Sequence, residues 1–194
     1  MNIEQVQIVV FAWRCSPTRE LARWLDAWAR RGGRWRFAPQ SRPVDLAREQ
    51  VCNGHLAAWR AGGPRRLVML DADLALDGGA AELFATDSPV AYCGHVGHQG
   101  TRGHYGHDDF GCAACAIDAE VLARLDKPWF RFAAIDDVLA ACECVHFRER
   151  LDGAGIAHPM VGRVWHLQAA YYGYDDGGHL ACRWPMAFEQ GEYR

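Results

Sequence analysis

Apolar and polar positions alternate along the chain in blocks that predict strands followed by helices. Val6 to Trp13 has the length and β-branched content of a buried strand. It runs into Ser16-Pro17, a helix-start pair with Ser as N-cap and Pro in the first turn. Leu21, Trp24, Leu25 and Trp28 then recur at i, i+3, i+4 and i+7, which predicts a helix with one apolar face, stopped at Gly32-Gly33. A short strand is expected at 34–38. A helix is expected from Asp45 to about Trp59, weakened at Asn53-Gly54 and closed by Gly62-Gly63-Pro64. Leu67 to Leu70 is a second buried strand. Pro89 to Cys93 and Cys112 to Ile117 predict further strands, with Asp118 capping a short helix that ends near Leu125. The segment from Val138 to Leu151 reads as a longer helix or helix pair, and Met160 to Trp165 returns as a strand. This alternation predicts an α/β fold, a mostly parallel sheet flanked by helices.

Composition narrows the function classes. The 194 residues are 50% hydrophobic and 23% charged, which suits one domain with a sizeable core, and no repeat or linker divides positions 1–194. A formal charge of -3 creates no global field for nucleic acid or an anionic membrane. No apolar stretch approaches the roughly 20 residues of a membrane-spanning helix. The first residues, with Glu4 and Gln5 ahead of the apolar run, do not read as a secretory signal, so a cytoplasmic protein is expected. Positions 94–111 are rich in Gly and His without periodicity and predict one long loop. Positions 170–194 read as a second, flexible and aromatic segment able to cover a site.

The chemistry concentrates where Leu67-Val68-Met69-Leu70 meets Asp71-Ala72-Asp73. Two carboxylates directly after a buried strand lie at the carboxyl edge of the sheet, where open α/β sheets bind ligands. Hard oxygen donors there suit Mn2+ or Mg2+ shared with a nucleotide diphosphate. With 15 Asp in the chain, about one Asp-x-Asp is expected by chance, so the position of the pair carries the argument.

Residues 67–73 resemble the strand and DxD motif of GT-A fold glycosyltransferases, especially small bacterial and phage members related to family 2. Four further segments are similar to that family in order and spacing, over about residues 6 to 170. They are Asp45-Leu46-Ala47-Arg48, the run from Gly111 to Leu122 with Pro128-Trp129-Phe130 behind it, the run from Glu143 to Ile156, and Val164-Trp165-His166-Leu167. The resemblance implies a single GT-A-like, Rossmann-like domain that moves a sugar, with inversion, from a UDP- or GDP-sugar to a hydroxyl of a glycan, protein or lipid-linked acceptor. It implies Asp71, Asp73 and His166 as ligands of Mn2+ or Mg2+, with Asp45, Arg48, Asp71 and Asp73 on the nucleotide sugar. In inverting transfer a carboxylate deprotonates the acceptor. The family's Glu-Asp pair is here Glu143-Cys144, and a thiol is a poor substitute for the missing Asp. The base is then either Glu143 or the upstream pair Asp136-Asp137. Glu49 stands where the family has Asn.

Two other readings compete. Cys144 at the expected base position is compatible with a non-catalytic nucleotide-sugar or glycan binder. Zinc is the second: His95, His98, His104, His107, Cys112 and Cys115 gather six potential ligands, as a zinc-binding interaction protein would. Against it, Cys112 and Cys115 fall in one expected strand, three apart and therefore on opposite faces. The remaining cysteines read as buried thiols.

Overall fold

The first strand, β1 (Val6–Phe11), owes its place to alternation. Val6, Ile8 and Val10 enter one apolar cluster, Val9 and Phe11 the other. In a computed structural model describing residues 2–12, 16–39, 43–76, 78–96, 111–135, 138–141, 143–166, 171–174 and 180–183, every central strand follows this two-faced rule. The chain continues through α1 (Arg19–Arg30), β2 (Arg34–Phe37), α2 (Val44–Arg60), β3 (Arg66–Asp71), β4 (Leu74–Leu76), α3 (Glu82–Ala85) and β5 (Val90–Val96). After these come β6 (Ala114–Asp118), α4 (Ala119–Arg124), β7 (Ala133–Ile135), β8 (Val138–Ala141), α5 (Glu143–Gly153), β9 (Met160–His166), β10 (Tyr171–Tyr174) and β11 (Leu180–Arg183).

Seven strands form one sheet in the order β2-β1-β3-β6-β5-β9-β4. β2, β1, β3, β5 and β9 run one way, whereas β6 and β4 oppose their neighbours. The sheet is thus mixed but mostly parallel. Helices α2, α4 and α5 cover one face, with Val51, Leu56, Leu122, Phe147 and Leu151 packed on Val9, Met69 and Ile117. Helices α1 and α3 cover the other, with Leu21, Leu25, Leu83 and Phe84 on Ile8, Val68 and Ala116. Leu67, Val68, Met69 and Leu70 are all fully buried, each burial contributing about 1.5–3 kcal/mol. No helix among the described residues is long and apolar enough to cross a membrane.

The structure departs from the sequence expectation in several places. Helix α1 is capped by Thr18 and not Ser16, because the Thr18 hydroxyl accepts from Leu21 N at 3.1 Å while its own N–H is held by the Ala72 carbonyl at 2.9 Å. Helix α2 runs unbroken through Asn53-Gly54: the Asn53 amide donates to the Glu49 carbonyl, and Gly54 faces open space. Residues 138–141 are strand, not helix, paired antiparallel with β7, so the helix starts only at Glu143. The tail expected to be a flexible segment contains the antiparallel pair β10–β11. Tryptophan packing also fixes a turn. The Trp28 indole occupies the space that a side chain at residue 33 would need, and Gly33 provides it.

Candidate functional site

Alternation in β3 aims Leu67 and Met69 at the α2 face, and the next residue of that face is Asp71. Its backbone is pinned on both sides: Asp71 N–H donates to the Ala113 carbonyl at 2.7 Å, and Ala72 N–H to the Phe11 carbonyl at 2.8 Å. Thr18 holds the turn from the α1 side, through its N–H to Ala72 and its hydroxyl to the Leu74 carbonyl. Asp73, half-buried, ends this turn. The next residue, Leu74, opens β4 directly opposite His166, the last residue of β9. The backbone therefore carries the two acidic positions and His166 to one neighbourhood. The side chain of His166 lies outside the described residues, as do Asp136 and Asp137.

Arg48 is the centre of the cluster. It lies on the buried face of α2 with Ala47, Val51, Cys52 and His55, and is only 2% exposed. Nη2 donates to Asp71 Oδ1 at 3.1 Å, Nε to Glu143 Oε1 at 3.3 Å, and Nη1 to the Cys112 carbonyl at 2.9 Å. Its guanidinium lies over the Phe11 ring, 4.7 Å from the centroid. Burial alone would lower the Arg48 pKa, but the attraction of Asp71, with Glu143 behind it, outweighs burial and raises it well above the ordinary value. The guanidinium stays charged.

Glu143 is the first residue of α5, where a carboxylate meets the positive end of the helix dipole. It is buried. Cys144 beside it is turned inward: its Sγ accepts from Cys112 N–H at 3.2 Å and lies 3.6 Å from Glu143 Oε1. The residue standing where the resemblance expects Asp thus braces the segment that follows position 111. Cys112 precedes β6, which begins only at Ala114, so the opposite-face argument for Cys112 and Cys115 does not hold. Both enter the same apolar cluster. Burial, reinforced by Cys115, pushes the Cys112 thiol well up, and burial does the same to Cys52. These are neutral core thiols. Among the described residues, no group of three or more His, Cys, Asp and Glu is arranged to hold a metal ion. The histidines at 98, 104 and 107 lie outside the described residues, as does the side chain of His95.

Asp71, Arg48 and Glu143, separate in sequence, are brought into contact. Asp45 is not joined to them among the described contacts. It sits in the first turn of α2, where its Oδ1 accepts from Leu46 N at 2.8 Å. Sequence reasoning missed three partners: the Phe11 ring, the Cys112 carbonyl and Glu49. Glu49 Oε1 accepts from Phe130 N–H at 2.7 Å and ties the Pro128-Trp129-Phe130 turn to α2, while Phe130 stacks on Phe147 of α5 at 4.6 Å. Only Glu49 had a signal, its place in the motif next to Arg48. Hollows elsewhere do not coincide with this chemistry. One of about 470 Å³ is lined by Arg124, Asp126, His146 and Arg150, and one of about 210 Å³ by Arg65, Arg66 and Asp118.

No family model matches the chain, and no curated protein matches it. The fold is similar to that in the crystal structure of A197 from STIV, with a TM-score of 0.55 over 92% of this chain and 94% of that chain. At 14% identity, this likeness establishes a shared mixed α/β architecture and nothing about chemistry.

Proposed function

We propose that the chain is a GT-A-like glycosyltransferase that transfers a sugar from a UDP- or GDP-sugar to an acceptor hydroxyl, with Mn2+ or Mg2+ as cofactor. The observation that carries this reading is the β4–β9 register, which sets Asp73 one residue from the position opposite His166, at the sheet edge where Asp71 ends β3. Carboxylate oxygens fit either cation, and an imidazole beside them favours Mn2+ over the harder Mg2+. Asp73 and His166 would hold it, with Asp71 alongside. Such a cation, when bound, offsets the charge that builds on the departing diphosphate.

The chain's own residues supply the rest. Glu143 is the base this reading assigns, supported by its junction with Asp71 through Arg48. The Arg48 bond fixes where that carboxylate points. Arg48, with its guanidinium turned inward, contributes through these carboxylates and not as a direct ligand of the diphosphate. The burial of Glu143 favours a second reading, a non-catalytic binder of nucleotide sugars. Donor hydrolysis separates the two. The transferase releases sugar from a nucleotide sugar in the presence of Mn2+ and loses that activity in Glu143→Gln. Donor binding without sugar release would select the binder.

A further inference from the structure

Asp71 and Glu143 come from elements 72 positions apart and meet through one side chain. The guanidinium is planar and rigid, with donors along fixed in-plane directions. Here each of its three nitrogens donates once: Nη2 to Asp71, Nε to Glu143, Nη1 to the Cys112 carbonyl. Phe11 bounds the plane from one side. Neither carboxylate can shift without turning the fork and disturbing the other.

We infer that Arg48 is a positioning residue that couples Asp71 to Glu143, so that the donor-side and acceptor-side carboxylates are held in one fixed relation. The roles of the two carboxylates rest on the glycosyltransferase reading; their coupling rests on the geometry alone. A lysine at position 48 keeps the charge but has a single ammonium that cannot reproduce the fork.

The test has a kinetic arm and a ligand-free arm. In sugar release from a nucleotide sugar with Mn2+, Arg48→Lys is expected to lower kcat about 10- to 100-fold with KM little changed, as misplacement of a reacting group does. A kcat equal to wild type would overturn the inference. The second arm is urea unfolding of Asp71→Asn, Glu143→Gln and their double variant without nucleotide. Coupling through Arg48 makes the midpoint shift of the double variant differ from the sum of the single shifts, and in an Arg48→Lys background the shifts become additive. Additive shifts in the wild-type background would overturn the inference even where no donor is turned over, or where Arg48→Lys fails to fold. Failure of every nucleotide sugar to react, with coupling intact, would instead remove the transferase reading.

Discussion

Strand β3 carries an arginine–carboxylate cluster at each end, and the two are built differently. At its start, Arg66 donates to Asp118 at 2.8 Å and to the carbonyls of Thr86 and Ser88 at 2.6 Å each, while Arg65 pairs with Asp118 at 2.9 Å and Glu120 at 3.1 Å. Two guanidiniums meet two carboxylates, and the bonds lock the ends of β3, β6 and α4 together. At its other end, one guanidinium serves two carboxylates, with Asp73 close by in sequence. The first cluster is balanced and fastens the fold. Among the described ion pairs, the second sets one cation against two carboxylates at the edge where α/β sheets bind ligands, the kind of stability sacrifice that accompanies function.

The largest expected effect comes from removing the shared cation. Arg48→Met strands two carboxylates in a buried setting and should cost about 3–5 kcal/mol in urea unfolding. A loss below about 1 kcal/mol would mean that water already screens the cluster. At the balanced end, Asp118→Asn should cost about 1.5–3 kcal/mol, because the buried network loses its negative charge and one of its two accepting oxygens, while nucleotide-sugar binding stays unchanged. Glu143→Gln, which also weakens a buried charge-assisted bond, should cost a similar amount, about 1.5–3 kcal/mol, but there sugar release is abolished. If Asp118→Asn impaired donor binding and Glu143→Gln did not affect turnover, the contrast between the two ends would collapse.

The smallest effect is a pH dependence near the balanced end. His55 is buried, with Nε2–H donating to the Arg65 carbonyl at 3.1 Å and Nδ1 3.1 Å from the Gln7 amide. Burial lowers its pKa in the folded state. Below the ordinary histidine value of about 6.5 the unfolded chain takes up a proton that the folded chain resists, so stability is present above that pH and declines as pH falls through it. Unfolding midpoints between pH 7.5 and 5 should fall, and His55→Gln should flatten the part of the decline that begins near the ordinary histidine pKa.

Much of this architecture was legible in the chain. The runs at β1 and β3 are too apolar and too short for anything but buried strands, and the helical stripe of α1 is read directly from Leu21, Leu25 and Trp28. What escaped was set by long-range pairing. Residues 138–141 carry no mark that separates a strand from the helix after them until β7 is there to pair with. The antiparallel sense of β6 follows from the sheet order, not from its composition. In the site, Asp71 and Arg48 could be named separately, but their contact depends on strand parity meeting a helix face. Cys144 looked like a missing acid and is instead a brace for Cys112 N–H. Glu49 likewise gains its meaning only when the Phe130 backbone comes within reach.

The central claim is that the acid-rich end of β3 receives a nucleotide diphosphate with a divalent cation. It is tested most directly by the melting temperature of the purified chain with UDP, GDP and their sugars, with and without Mn2+. A ligand at 100 times its dissociation constant adds about 2.7 kcal/mol of stability, enough to read as a clear upward shift. Such a shift is expected for at least one nucleotide, dependent on Mn2+ and absent in Asp73→Ala, whose own fold is retained. No shift with any of them, or a shift that persists without Mn2+ and in Asp73→Ala, would contradict it.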